Sequence, residues 1–291
     1  MDAIFEEYKQ IIDKALAACF KTEEELPHHR LLEAMDYSLT AGGKRLRPLL
    51  VMLFCDAAGG ETESAIPVAC GVEMLHTYSL IHDDLPCMDN DELRRGKPTN
   101  HVVFGECTAT LAGDALQAEA FGAILRSALP ADIRAACAEA LADAAGVDGI
   151  CGGQLLDMDG EGRLLTEEEL IEVQSRKTGS LIVCACKMGA IVGRASERQI
   201  EAACFYGAAL GAAFQIRDDM LDELSSVAEL GKPIGSDARE GKTTYMSLYG
   251  ADKCAKMVSK LTEQAKSEVS SAFANPEKLC RLADMLCERK A

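Results

Sequence analysis

Basic residues are scarce in this sequence. Lysine and arginine total 30 against 47 acidic residues, a net charge of −17 over 291 residues. That balance excludes a general nucleic-acid binder, which needs a basic face toward phosphate. It also means that an anionic small molecule must be drawn in by a local cation cluster or by metal, against the overall field. Proline is sparse too, with eight in all and none between Pro130 and Pro233. Strand-like alternation bounded by turns is nearly absent. No apolar run approaches the roughly 18–20 residues of a membrane span, so no stable membrane anchor is expected. The 13 cysteines include no CxxC pair, and Cys184 and Cys186 have no histidines at zinc-ligand spacing. Cys55, Cys70 and Cys204 sit in apolar helical runs, where the free thiol acts as a small hydrophobe. The opening stretch MDAIFEEYKQIIDKAL is acidic and amphipathic, unlike a signal or transit peptide. A soluble, cytoplasmic protein is the expectation.

Helix formers fill the rest. Helices are expected over 2–20, 28–40, 48–58, 64–85, 100–128, 131–149, 167–191, 196–223, 242–249, 251–273 and 276–289, with breaks at Gly59–Gly60, Gly152–Gly153 and Gly160–Gly162. No linker or composition shift divides the chain, so 1–291 reads as one domain. This many helices in one domain implies an all-α bundle.

Two acidic clusters close apolar helical runs. The first is HTYSLIHDDLPCMD (76–89), in which Asp83 and Asp84 are followed by Asp89 past Pro86, and then by Arg94 and Arg95. Adjacent carboxylates repel unless cations neutralise them. Oxygen-only ligands favour a hard ion, and Mg²⁺ usually completes its shell with water and substrate phosphate. Arginine supplies forked donors for phosphate. The local reading is a Mg²⁺-bridged phosphate site; a solvated acidic loop is the alternative. The second cluster is FQIRDDMLD (214–222), where Gln215, Asp218, Asp219 and Asp222 fall on one side of a helix. Two such helices facing each other could hold several Mg²⁺ ions on one diphosphate.

Asp89 lies six residues past Asp83, so on a continuous helix it would point elsewhere. Pro86 lacks the N–H that would bond back to His82, so the third carboxylate can join the site if the chain leaves the helix after Leu85. A basic cluster, Lys44, Arg45 and Arg47, lies between Gly42–Gly43 and Pro48. Pro48 suits a first helical position and pushes Arg47 out of the α region, which places the cluster at a helix start, a natural phosphate perch. An ordinary charged loop is the alternative. Lys177 and Thr178 interrupt an apolar stretch, and a cation with no adjacent acid there implies an anionic partner. Gly152, Gly153, Gln154 and Asp157 allow close helix approach, through core packing or substrate contact. On 200–222, Cys204, Ala208, Gly211, Gln215, Asp218 and Asp222 form a stripe from small to acidic, suited to a cavity wall or to a close helix contact.

With these motifs in family order from 42 to 245, the chain resembles the trans-polyprenyl diphosphate synthases, and most closely the bacterial farnesyl diphosphate synthases. The matching segments are GGKRLRP, HTYSLIHDD, RRGKPTNH, LAGDAL, GGQLLD, KTGSL, FQIRDD, LGKPIGSD and GKTTY. The resemblance implies an orthogonal helical bundle around a central cavity, a homodimer, and head-to-tail prenyl transfer with Mg²⁺, about three ions per site. It assigns metal binding to Asp83, Asp84, Asp89 and Asp218, with Asp219, Asp222 and Lys177 in the catalytic set. Isopentenyl diphosphate is assigned to Lys44, Arg47, His76 and Arg95. The allylic diphosphate is assigned to Lys177, Thr178, Gln215 and Lys232, with Arg94 offsetting charge as the C–O bond ionises and Lys242 a further candidate. Tyr78 and Ser79, five and four residues before Asp83, are implied as the floor that sets product length. A bulky Tyr78 implies farnesyl diphosphate, with geranylgeranyl diphosphate the alternative. A class I terpene cyclase would need no second diphosphate site, a silent partner subunit would lack one acidic motif, and a calcium loop at 89–92 lacks the required glycine.

Overall fold

The computed structural model describes residues 3–21, 26–224 and 243–288. Helices α1 (Ala3–Leu16), α2 (His29–Leu39), α3 (Leu46–Ala57) and α4 (Thr62–Asp83) lead into a short hairpin, β1 (Leu93–Arg94) and β2 (Lys97–Pro98). Then follow α5 (Asn100–Phe104), α6 (Glu106–Leu125), α7 (Ala131–Ala145), α8 (Ile150–Asp159) and α9 (Glu167–Gln174). A π-helical turn, Ser175–Gly179, joins α9 to α10 (Ser180–Val192), followed by α11 (Glu197–Leu224), α12 (Tyr245–Ala272) and α13 (Glu277–Glu288). The described fold is all-α apart from that hairpin.

Three helices are apolar on nearly every side and form the centre. Along α4, Val68, Ala69, Val72, Met74, Leu75, Tyr78 and Ile81 are all buried; α3 and α10 are buried almost throughout. A helix hydrophobic all round belongs in the interior, and α4 packs on α3 and α6, while α10 packs on α3 and α11. One continuous core runs from Phe5 in α1 to Leu286 in α13. Phe54 sits in it edge-on to Tyr206 at 5.3 Å and to Phe273 at 5.7 Å. A smaller apolar cluster, including Leu170, Ile216, Met220 and Tyr245, binds α9 and α12 to α11.

The structure corrects several expected boundaries. Gly105, at φ 85°, divides the 100–128 segment into α5 and α6. Residues 150–159 form a helix through Gly152–Gly153 rather than a break. The reason is tertiary: a Cβ on Gly153 would lie 2.3 Å from the Lys177 amide nitrogen, so α8 and the π turn approach closely only over glycine. The helix at 46–57 begins at Leu46, ahead of the expected start, so Arg47 is helical and Pro48 lies within the first turn, where no N–H partner is required. The segments 242–249 and 251–273 join into α12, kinked at Gly250.

Candidate active site

The first acidic cluster sits where α4 ends. Asp84 still donates its amide to the Leu80 carbonyl at 3.2 Å, and the chain then turns back, with the Asp89 amide donating to the Asp83 carbonyl at 2.9 Å. The chain thus leaves the helix as the sequence required, and the turn brings Asp89 beside Asp83. Burial pushes the Asp83 carboxyl up to about 6; Lys177 and Arg94 pull it down, while Asp89 and Asp84 push it further up. Burial likewise raises Asp84, against the pull of its bonds to Arg94. These crowded oxygen donors fit a hard divalent cation. Among the described residues no three such groups converge into a ready cage.

Arg94 stands on the hairpin that the sequence reading did not anticipate. Arg95 and Gly96 both have positive φ, 53° and 74°, the pattern of a two-residue type I′ turn. The hairpin is moored to α2 by Tyr37, whose hydroxyl donates to the Pro98 carbonyl at 2.8 Å, and by Asn100, whose amide donates to the Ala34 carbonyl at 2.7 Å. From there Arg94 clamps Asp84: Nε lies 2.8 and 2.9 Å from the two carboxylate oxygens and Nη2 lies 2.6 Å from Oδ1. In this structure its fork therefore holds a carboxylate.

The second cluster divides. Asp218 and Gln215 line a large cavity. Asp219, buried, accepts from Gln215 Nε2 at 3.1 Å and from the Tyr245 amide at 2.8 Å, so it helps to close the N-terminus of α12. Asp222, half-buried, lies at the end of α11. The stripe on α11 divides as well. Ala208 and Gly211 line a separate pocket beside Ser180 and Val183, and a Cβ on Gly211 would meet Gly179 at 3.5 Å. The small residues there serve helix contact rather than the large cavity.

That cavity, about 1020 Å³, gathers the cations. Lys44, Arg47, His76 and Arg95 line one part, together with Thr178; Phe214, Leu282, Met285 and Leu286 supply apolar wall. Burial lowers Arg47 to about 10, with Glu73 opposing and Arg95 adding to the effect, and its Nε has no hydrogen-bond partner. Burial first, then Arg47, Arg95 and Arg94, push His76 well below its usual range, so the imidazole is neutral. Arg95 donates to the Gly42 carbonyl. Arg45 stands apart: at φ 51° it turns inward, donating to Asp13 at 2.8 Å, Glu73 at 2.7 Å and the Leu39 carbonyl at 2.9 Å. It anchors the turn that carries Lys44 into the start of α3, where Arg47 stands.

A second cavity, about 580 Å³, is lined by Asp89, Asp157, Lys177 and Asp219, and shares Thr178 and Gln215 with the first. The expectation that Lys177 has no acid beside it is corrected: Nζ donates to Asp157 Oδ2 at 2.6 Å. The acid lies 20 residues away in sequence, on α8, and the close packing of Gly153 brings it there. Tyr78, 6% exposed, meets Cys151 Sγ at 3.3 Å through its hydroxyl and packs edge-on against His82 at 5.4 Å. Ser79 donates to the His76 carbonyl at 2.9 Å, within its own helix. Lys232 and Lys242 lie outside the described residues.

The polyprenyl synthetase family model matches residues 28–279. A farnesyl diphosphate synthase of Geobacillus stearothermophilus is 42% identical over 292 residues, covering 99% of this chain and 98% of the relative. A geranylgeranyl diphosphate synthase of Cyanophora paradoxa is 42% identical over 262 residues, covering 89% and 87%. The crystal structure of a geranylgeranyl pyrophosphate synthetase from Pyrococcus horikoshii superposes with a TM-score of 0.88 at 33% identity, covering 99% of this chain and 98% of the other. The chain belongs to the polyprenyl synthetase family.

Proposed function

We propose that this protein is a Mg²⁺-dependent prenyltransferase that condenses isopentenyl diphosphate with dimethylallyl or geranyl diphosphate to make farnesyl diphosphate. One observation carries the reading: two cavities share Thr178 and Gln215, one bearing Lys44, Arg47 and Arg95 and the other carboxylates around Lys177. Such a pair fits two diphosphates held head to head with different counter-charges, which a hydrolase or a cyclase has no use for. Relatives named as farnesyl diphosphate synthases support the product class. Relatives named as geranylgeranyl synthases favour the second reading, a longer product from the same reaction.

Asp83, Asp84, Asp89 and Asp218 are the residues that would hold about three Mg²⁺ ions. Bound Mg²⁺ supplies Lewis acidity at the allylic diphosphate and offsets the carboxylate repulsion. Arg94 fixes the direction of Asp84. Lys177 and Thr178, with Gln215 and Lys232, take the allylic diphosphate. Lys44, Arg47 and Arg95 draw the isopentenyl diphosphate, and neutral His76 adds a hydrogen bond without adding charge. The allylic C–O bond breaks with its electron pair passing to the diphosphate. The isopentenyl double bond then forms the new C–C bond, and the departing pyrophosphate accepts the proton lost. The apolar wall keeps water from the cation. A homodimer is part of the proposal, supported by Val102, Val103 and Leu111, which α5 and α6 leave exposed.

The test is turnover with Mg²⁺ and each substrate alone or together. Prenyl product and pyrophosphate are expected when isopentenyl and dimethylallyl diphosphates are both present. Conversion of an allylic diphosphate alone to a cyclic hydrocarbon would overturn the reading.

A further inference from the structure

Helix α8 carries three side chains at three-residue steps, Cys151, Gln154 and Asp157. The outer two have partners at opposite ends of the reaction site. Cys151 Sγ lies 3.3 Å from the Tyr78 hydroxyl on α4, and Asp157 Oδ2 accepts from Lys177 Nζ at 2.6 Å. At helix rise the two are about 9 Å apart along the axis with Gln154 midway, and the three fall within an arc of about 120° with Gln154 at its centre. Gly153 seats this helix against the backbone of Lys177. Gln154 therefore lies along α8 between the residue that meets Tyr78 and the residue that holds Lys177.

Its own state is unusual. Gln154 is 8% exposed, and neither its side-chain oxygen nor its side-chain nitrogen has a hydrogen-bond partner. A buried amide left unpaired carries a desolvation cost that an apolar side chain of the same length avoids. Packing alone gives no reason for glutamine at this position. Its two neighbours on the same face show that α8 polar groups are otherwise matched to partners, and an unmatched buried polar group calls for a functional explanation.

We propose that Gln154 is a catalytic residue whose amide oxygen faces the allylic carbons and stabilises the positive charge that develops as the C–O bond breaks. This rests on the prenyl-transfer reading. The bond's electron pair leaves with the diphosphate, and the positive charge spreads over the allyl unit. An amide oxygen offers fixed partial negative charge in a dry site, where a preorganised dipole acts most strongly. A side chain fixed on α8 acts through its dipole without forming a bond, so the cation remains available to the isopentenyl double bond.

The test is steady-state kinetics of the full chain with Mg²⁺, comparing wild type with Gln154→Met and Gln154→Leu, alongside thermal unfolding. The expected result is a fall in kcat of about 10–100-fold, less than the largest losses of a preorganised contact. KM for both substrates stays within about threefold, and Tm is unchanged or higher because an unpaired amide is gone. Should Gln154→Leu fail to fold, the nearly isosteric Gln154→Met decides. Unchanged kcat in a folded variant would overturn the inference and leave the enzyme reading standing. The same holds for a raised allylic KM at constant kcat, or a fall in Tm with constant activity per folded molecule. A wild type that forms no prenyl product would instead defeat the enzyme reading, and this inference with it.

Discussion

Lys177 on the π turn and Asp157 on α8 form a hydrogen-bonded ion pair, 2.6 Å from nitrogen to oxygen, at the edge of the carboxylate cavity. The pair positions a cation that would otherwise sweep freely on a long side chain. Asp157→Asn should therefore raise KM for the allylic substrate about 3–10-fold, and Lys177→Ala more, about 10–100-fold, the range for a charge-assisted contact. Neither should move KM for isopentenyl diphosphate comparably, whereas Arg47→Ala should. Kinetics with each substrate varied in turn checks this, and the reverse pattern would refute the division of the cavities.

Asp83 and Asp218 come from different helices, and the proposal gives both to the same metals. Asp83→Ala and Asp218→Ala should each lower kcat by at least about 10²–10³-fold, the scale for losing one preorganised electrostatic contact. Excess EDTA should abolish turnover, and Mg²⁺ should restore it. Near-normal activity in either variant, or turnover that survives the chelator, would remove the clusters from the metal site.

His76 gives a stability prediction with a definite sign. Burial and the guanidinium groups of Arg47, Arg95 and Arg94 hold its folded-state pKa well below the ordinary 6.5. Below about 6.5 the unfolded chain takes up a proton that the folded chain refuses, so stability is full above that pH and is lost as pH falls through it. Urea unfolding at pH 7.5 and 5.5 should show a smaller loss in His76→Gln than in wild type. Equal losses would show that the imidazole is not held neutral.

The helices were legible because their 3.6-residue patterning is strong and prolines are few. Two local features hid others. Gly152–Gly153 has the composition of a break, and only the approach of Lys177 explains why glycine persists inside α8. The hairpin strands are two residues each, too short for alternation to register, although Arg95–Gly96 is a turn signal that could have revealed them. Helical spacing placed Asp218 and Asp219 on one side of a helix, but which of them meets the cavity depends on the Tyr245 amide of α12, a contact remote in sequence. For the same reason spacing could not separate Arg47, aimed at the cavity, from Arg45, turned toward Asp13 and Glu73. Nor could it show the partner of Lys177.

The proposal gives Tyr78 control of the product: its buried ring stands against His82 and its hydroxyl against Cys151, about one and a half helical turns before Asp83. The decisive measurement is chromatography of the dephosphorylated products formed by wild type and Tyr78→Ala from dimethylallyl and isopentenyl diphosphates with Mg²⁺. The account predicts a C15 alcohol from wild type and a shift to C20 or longer in the variant. A wild-type C20 product, or an unchanged product in Tyr78→Ala, would contradict it.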